Sequence, residues 1–508
     1  MSAEAAHASP GLVEILRTQL PVLLVILPMI SAPLCVLIRR ARWAWGLALV
    51  VTWSGLWMAV QLLHRVLVSG TISYQLGGWP PPWGIELRIG LLGAFVLVIV
   101  SGISSTVLAA APGSLPKEVP ESRHYLFYAC FLLCMTGLLG MTAAGDAFNV
   151  FVFLEISSLS GYTLIALGPT RRALIAAFRY LMMGTIGGTF ILLGVGLLYQ
   201  LTGTLNIADL GQRLALVEPG NRTVLVALAC IVVGASIKLA LLPLGIWLPN
   251  AYTFAPAEVT AFLAATSTKV AFFVLVRFIY EIFGAPLAFD RLHLDWILLP
   301  MALLAMFVGS TVAIFQRDVK RLLAYSSLAQ VGYMVLGVAL VTHEGLAGGI
   351  VHLFNHALTK SGLFLALAAV VLRLGSTRLD DLGGLGRRMP WTAAAFTLGG
   401  LSLIGVPLTA GFVSKWYLVR GALAADRFWI AAAILLSSLL ALVYVWRVVE
   451  VLYFRPAKGL ALEAREAPAS ILIPTWFLIA GVLFFGFRAS FTGHLAEQAA
   501  RLLIEGGG

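Results

Sequence analysis

The sequence predicts an all-α polytopic membrane protein of about fourteen transmembrane helices. Three observations predict it. Of 508 residues, 60% are hydrophobic and only 11% are charged, against about 25% charged in soluble proteins. The mean hydropathy is +0.95. Apolar runs of about 20 residues, the length that crosses a hydrocarbon core, recur along the whole chain. The polar opening MSAEAAHASPGLVEILR lacks the basic run and cleavage site of a secretory signal. The first apolar run is therefore expected to insert the chain.

Taken in order, the spans fall at 17–38, 44–64, 89–111, 125–143, 147–168, 174–200, 224–248, 258–282, 294–315, 321–341, 346–373, 391–421, 428–454 and 470–490. The longest polar linkers are 65–88, 201–223 and 374–390, too short for a separate domain, so 1–508 reads as one integral-membrane domain. Two spans are interrupted. Span seven contains IKLALLPLGIWLP, with Pro243, Gly245 and Pro249 after Lys238, and span twelve contains LSLIGVPLTAGFVSKWYLV, with Gly405, Pro407 and Gly411 before Lys415. Proline removes a backbone donor and frees a carbonyl. In lipid such breaks persist only against protein or a wet cavity, and in transporters they mark sites. The breaks lie five spans apart, which suggests two five-span repeats, 125–282 (spans 4–8) and 294–454 (spans 9–13). An odd-numbered repeat is inverted across the membrane.

The net charge of +11 does not indicate nucleic acid as a partner, because the basic residues sit in short loops between apolar spans. Arg39, Arg40 and Arg42, then Arg171 and Arg172, then Arg317, Lys320 and Arg321, then Arg373, Arg378, Arg387 and Arg388 all fall on one side if the spans alternate. That side is expected to be cytoplasmic, in a prokaryotic inner membrane, with both termini outside. Cys35, Cys130, Cys134 and Cys230 lie in apolar runs and read as small buried hydrophobes.

Against this background the ionisable residues inside spans stand out: Glu155, Lys238, Lys269, the ladder His352/His356/Lys360 in HLFNHALTKSGLF, and Lys415. Steps of four keep the ladder on one drifting helical face. Each charge at a helix centre costs roughly 2.5–3.5 kcal/mol. Five of them cost on the order of 10–20 kcal/mol, comparable with a domain's whole stability. Glu155 could merely pair with a lysine, although fixed buried pairs stabilise little. Lys415 could snorkel to a helix end. A zinc site at His352 and His356 is disfavoured, because no carboxylate accompanies them and Lys360 shares their face. Arg179, Arg277 and Glu281 lie near span ends and read as interfacial anchors. Proton transfer uses the buried set better. Burial lowers a lysine's proton affinity, a nearby carboxylate restores it, and histidine relays near neutral pH.

The run GDAFNVFVFLEISSLSGY, KLALLPLGIWLPNAY, STKVAFFVLVRF, RDVKRLLAYSSLAQVGYMVLG, HLFNHALTKSGLF and GVPLTAGFVSKW resembles the antiporter-like proton-conducting subunits of respiratory complex I, membrane-bound hydrogenases and Mrp-type cation/proton antiporters. The resemblance covers about 90–450, in order. It implies fourteen helices, two inverted five-helix repeats and broken helices seven and twelve. It also implies proton-transfer roles for Glu155, Lys238, Lys269, His352, His356, Lys360 and Lys415. Lys415 with Lys360, the end of the chain after span fourteen, and YQLGGWPPPWGIELRI make the D-type subunits of Mrp antiporters the expected branch. Gly245, Asn250 and Gly90 depart from that pattern, where a histidine, an aspartate and an aspartate are usual.

Three functions from different classes follow. The expected one is a proton-translocating subunit of a multisubunit Na⁺/H⁺ antiporter. The alternatives are a pumping subunit of a redox-driven complex and a structural assembly subunit with a vestigial path. Each implies membrane partner subunits, and the first two imply protons, with monovalent cations for the antiporter. No iron–sulfur cysteine cluster, phosphate loop or nucleophilic constellation is present, so neither a cofactor nor an enzymatic activity of the chain alone is expected.

Overall fold

The computed structural model describes residues 12–218 and 220–506. The polar opening as far as residue 11 lies outside them. Continuous apolar runs yield α1 (Leu12–Ile38), α2 (Ala41–Ser69), α3 (Leu91–Glu118), α4 (His124–Ala143), α5 (Ala147–Ala166) and α6 (Arg171–Thr202). The short α7 (Ile207–Leu214) precedes span seven, which is split into α8 (Arg222–Leu239) and α9 (Leu248–Phe254). Then come α10 (Ala257–Arg277), α11 (Asp295–Ile314), α12 (Val319–Ala339) and α13 (His343–Leu374). The short α14 (Leu385–Arg388) leads to span twelve, split into α15 (Pro390–Ile404) and α16 (Ala410–Ala424). α17 (Phe428–Phe454), α18 (Ala469–Phe487) and α19 (Ala489–Ile504) complete the chain. Among the described residues, thirteen helices are individually long and apolar enough to span a membrane. The broken α15/α16 pair supplies the fourteenth crossing.

The core is formed by α3, α4, α10, α12 and α13, whose apolar windows are mostly enclosed by neighbours, while α1, α6, α11, α17 and α18 present apolar outer faces. With alternating spans, the α3–α4, α5–α6, α9–α10, α11–α12, α13–α15 and α17–α18 connections gather at one end, here the basic end. The hydrogen bonds agree with this grouping. Glu118 accepts the Ala257 N–H, Lys320 donates to the Ala255 carbonyl, and Arg373 donates to the Glu466 carbonyl.

Two clasps tie helix starts to loops. Asp146 caps α5 through the Asn149 N–H at 2.8 Å and bridges Asn206. Asp318 caps α12 through the Arg321 N–H at 2.8 Å and bridges Arg378. The flanking bonds match as well: Ala147 N–H to Leu205 C=O at 2.9 Å and Ile207 N–H to Gly145 C=O at 2.9 Å, against Val319 N–H to Thr377 C=O and Leu379 N–H to Arg317 C=O, both 2.8 Å. Each residue of the second clasp follows its counterpart by 172 positions (318 against 146, 378 against 206). The helices between, α6 and α13, each have 32 residues and keep the same offset. Both end on a glycine in the left-handed region, Gly203 at φ 71° and Gly375 at φ 67°, where a Cβ would be strained.

Three features depart from the sequence expectation. The linker 65–88 folds partly into a hairpin, β1 (Ile72–Gln75) against β2 (Glu86–Ile89), in register Ile72↔Ile89. Buried Glu86 latches it down, accepting from the Ser73 hydroxyl at 2.5 Å and the Asn206 amide at 2.7 Å. The second is α19, which follows span fourteen and buries Leu495, Ala496, Ala499, Ala500 and Leu503 at helical spacing. Third, Arg277 is no interfacial anchor. It is 3% exposed, pairs with Glu281 at 2.8 Å and donates to the Ala144 carbonyl, because the α4–α5 corner packs over it.

Asp318→Ala removes a cap and the acceptor of the Thr377 hydroxyl at 2.5 Å. It should cost about 1–2 kcal/mol, read as a lowered thermal midpoint of the detergent-solubilised protein, whereas Asp380→Ala, in the nearby loop, should leave the midpoint unchanged.

Candidate functional site: a buried lysine–histidine relay

Of the seven ionisable residues picked from the sequence, the structure buries six and leaves Glu155 partly accessible, and it gives each lysine different ligands. Lys238, in the last turn of α8, is 5% exposed. Its ammonium lies 3.3 Å from Glu155 Oε1 and donates to the Ser158 hydroxyl at 2.8 Å, both on α5. Glu155 keeps 25% of its side chain accessible. Gly188 on α6 makes room for that carboxylate, since a Cβ there would stand 2.3 Å from Glu155 Oε1. Gly184, one turn earlier, does the same for the Tyr162 hydroxyl.

After Leu239 the chain leaves helical geometry through Ala240, a non-glycine residue at φ 63°. Residues 240–247 form the break, and Trp247 closes it. Its indole donates to the Ile237 carbonyl at 2.9 Å and stacks on Tyr180 with centroids 3.7 Å apart. This packing accounts for Gly245. A Cβ there would meet the Ala240 carbonyl oxygen at 2.1 Å, so the turn excludes the histidine usual in the resemblance. Asn250 is half-buried on α9. Gly90 is the N-cap of α3, a position without a side-chain cap here.

Lys269 on α10 is fully buried and its ammonium donates to the Ala264 carbonyl and, at 3.2 Å, to the Thr268 hydroxyl. Lys360 on α13 is also fully buried. It donates to the Leu323 carbonyl at 2.7 Å and to the Ser326 hydroxyl, both on α12. His352 and His356, earlier on the same helix as Lys360, have ring planes 14° apart and centroids at 5.9 Å. His352 Nδ1 meets the Ser414 hydroxyl at 2.9 Å. His352 Nε2 and both ring nitrogens of His356 are buried without a protein partner. Buried polar atoms are almost always hydrogen-bonded, so open valences along one helix face are where ordered water belongs.

The second break is built around Lys415, which does not snorkel. Pro407 interrupts the backbone and α15 ends on Gly405 at φ 89°. The last carbonyls of a helix have no intrahelical donor and carry the negative end of its dipole. Lys415 on α16 folds back onto them, donating to Leu403 O at 3.0 Å and Ile404 O at 2.8 Å, and to the Ser438 hydroxyl of α17 at 2.9 Å. A Cβ at residue 405 would lie 2.8 Å from the Lys415 Cδ, so glycine is needed for contact as well as for φ. The ammonium also sits 4.7 Å from the centre of the Tyr333 ring, whose hydroxyl is 3.4 Å from Ser438 and whose ring lies 5.5 Å from His352. Tyr333 therefore lies between Lys415 and His352, with Ser438 bonded to Lys415 beside it.

Sequence reasoning missed Asn355 and Thr359, which share the ladder's face. They serve the broken span: the Asn355 amide donates to the Ala410 carbonyl, and the Thr359 hydroxyl lies 3.1 Å from that of Ser402, which accepts from the Gly411 N–H at 3.1 Å. The serine ligands Ser158, Ser326 and Ser438 were also missed: each lies in a Ser–Ser pair (157–158, 326–327 and 437–438), but a hydroxyl in an apolar span lacks the charge cost that marks the lysines. Among the described residues no group of three histidine, cysteine or acidic side chains could hold a metal.

The arrangement is a polar seam made of separate clusters, with the Glu155–Lys238–Ser158 group at α5 and α8 and the His352–Ser414 and Lys415–Ser438–Tyr333 groups toward α17. Comparison with known proteins bears on what it serves. Residues 144–441 match the family described as NADH:quinone oxidoreductase/Mrp antiporter, TM. The chain is 43% identical over 505 residues to the N subunit of an NADH-quinone oxidoreductase from Desulforudis audaxviator, covering 95% of this chain and 99% of that one. It is 31% identical over 448 residues to the D-type subunit of a Na(+)/H(+) antiporter from Alkalihalophilus pseudofirmus, covering 88% and 89%. It superposes on a chain of the Mrp complex from Dietzia sp. DQ12-45-1b with a TM-score of 0.88 at 25% identity, over 96% and 98% of the two chains. The chain is a multi-pass, antiporter-like membrane subunit and belongs to the NADH:quinone oxidoreductase/Mrp antiporter family.

Proposed function

We propose that this chain is a proton-translocating subunit of a redox-driven membrane complex, and that Glu155, Lys238, Lys269, His352, His356, Lys360 and Lys415 carry the proton. The observation that carries the proton path is the ligand set of the lysines. Only Lys238 has a carboxylate, while Lys269, Lys360 and Lys415 are held by carbonyl and hydroxyl oxygens. Such neutral oxygens accept from an ammonium, and a hydroxyl can turn its proton toward a neutral amine. Each lysine can thus gain or lose a proton without stranding an anion. Breaking the Glu155–Lys238 pair would discharge Lys238 by removing the carboxylate that favours its charged form.

The redox reading rests on the 43% identity to the N subunit of an NADH-quinone oxidoreductase over nearly the full length of both chains. It takes precedence over the Mrp branch that the motifs alone suggest. The antiporter reading keeps two supports, the 31% identity to a D-type Na(+)/H(+) antiporter subunit and the TM-score of 0.88 with a chain of an Mrp complex. In either complex the chain assembles with other membrane subunits, and the basic end faces the cytoplasm.

The inverted repeats, 125–282 and 294–454, are part of the same reading. They are supported by the paired clasps at opposite ends of the bundle, 172 positions apart (318 against 146). On that offset Lys360 corresponds to Gly188, His356 to Gly184 and His352 to Tyr180. The side of α13 that carries the relay thus corresponds to the side of α6 that faces Glu155.

Two experiments test this. A tagged chain isolated gently from native membranes should bring down flavin or iron–sulfur subunits with redox absorbance. Recovery of only hydrophobic subunits, without such absorbance, would transfer the assignment to the antiporter. In inverted vesicles, Lys238→Ala should abolish proton uptake. Gly188→Ala, which displaces Glu155, should slow uptake about ten-fold or more, as misplacing a reacting group by about an ångström does. Gly196→Ala on the same helix, with nothing within 4 Å of the added carbon, should leave it unchanged.

A further inference from the structure

The relay ligands on α12 continue toward the basic end, where a separate buried cluster lies outside the seven residues. Glu258, in the first turn of α10, is 0% exposed. Its Oε1 accepts from the Ser114 hydroxyl of α3, and its Oε2 is buried without a partner. Glu118, one turn beyond Ser114, accepts the Ala257 N–H at 2.8 Å. Lys320 at the start of α12 is 5% exposed and spends its ammonium on the Ala255 carbonyl. Among the described residues it makes no ion pair with either carboxylate. Asp318, the cap of α12, and Tyr128 on α4 are the other ionisable groups in electrostatic contact with Lys320 or Glu258.

Capping explains part of this. Glu118 satisfies a free N–H at the start of α10, and an acidic residue in the first turn suits the helix dipole. Capping does not explain a fully buried carboxylate with one empty oxygen beside an ammonium that ignores it. Unpaired buried charge is costly. A carboxyl that takes up and releases a proton, with a lysine able to swing onto its ionised form, resolves both.

The cluster also points along the bundle. Lys320 lies three and six residues before Leu323 and Ser326, the two ligands of the Lys360 ammonium, or about 5 and 9 Å of helical rise. Glu258 and Lys269 are eleven residues apart on α10, which returns them to the same face within about 20°.

We propose that Glu258, with Ser114 and Lys320, is a proton-loading site through which Lys360 and Lys269 exchange protons with water at the basic end. A hydronium ion gives its proton to Glu258 Oε2 and leaves as water. The carboxylic acid then passes the proton through intervening water to the neutral amine of Lys360, forming carboxylate and ammonium, and Lys320 turns from the Ala255 carbonyl to the carboxylate. This inference rests on the proton-translocation reading above.

The test uses the assembled complex in inverted native-membrane vesicles, with proton uptake followed as external pH is varied. Glu258→Gln should slow uptake about ten-fold or more, the contribution expected of a positioned proton-transfer group. The defect should be greatest at alkaline external pH, where loading limits the rate, and should shrink as pH falls. Glu258→Asp should restore part of the rate. If Glu258→Gln fails to assemble, Ser114→Ala keeps the carboxylate but removes its donor, and should shift the pH profile. An unchanged rate and profile in the assembled variant would overturn the proposal. So would a defect that follows Na⁺ at constant pH, which would make the cluster a cation site. If Lys238→Ala also left uptake unchanged, the proton reading itself would fail.

Discussion

A lysine ammonium carries three donors, and inside a membrane bundle each must find an oxygen. Much of this structure follows from that constraint. Lys415 meets it by folding back onto the two exposed carbonyls that end α15, with Ser438 as the third acceptor. The helix break thereby gains a function beyond bending the chain, because it supplies acceptors that an unbroken helix would hold in its own ladder. Lys360 takes a carbonyl and a hydroxyl from α12, Lys269 takes them from its own helix, and Lys238 takes the carboxylate of Glu155. One anion is therefore available to a row of four lysines. A fixed ion-pair network would hold every charge in place. Oxygens without charge leave the lysines free to differ in protonation.

The two halves solve the same packing problem with different chemistry. The clasps at Asp146 and Asp318 fix the entries of α5 and α12 in the same way, and α6 and α13 follow with equal lengths and equivalent terminal glycines. Where α6 has Gly184 and Gly188 to admit Tyr162 and Glu155, α13 has His356 and Lys360, which reach outward instead. The small residues of α6 thus admit side chains of α5, while Lys360 of α13 reaches its ligands on α12.

Much of this was legible in the sequence. The fourteen crossings, both breaks and the seven ionisable residues within spans follow from hydropathy, proline and the cost of charge in lipid, since each leaves a mark on a short window of residues. What was not legible depends on contacts far apart in the chain. Ser158, Ser326 and Ser438 are ordinary serines until an ammonium approaches them. Arg277 looks like a span-end anchor until the Ala144 corner covers it. Glu258 sits beside a span boundary, where a carboxylate is unremarked, and only the convergence of α3, α10 and α12 buries it. The helix α19 was hidden for a different reason. Its apolar residues recur with helical spacing, but a window tuned to membrane spans averages them with the polar face. The choice between an antiporter and a redox complex was not legible either, because the relay chemistry serves both and the partners lie outside the chain.

The most direct test of the central claim concerns Lys360, a fully buried lysine with no anionic ligand. In the assembled complex, with Glu155 and Lys238 intact, Lys360→Met keeps the volume and removes the titratable group. If the seam carries protons, proton translocation stops while the subunit composition of the complex is unchanged. Translocation at the wild-type rate in a complex of unchanged composition would contradict the account, and would reduce the seam to packing.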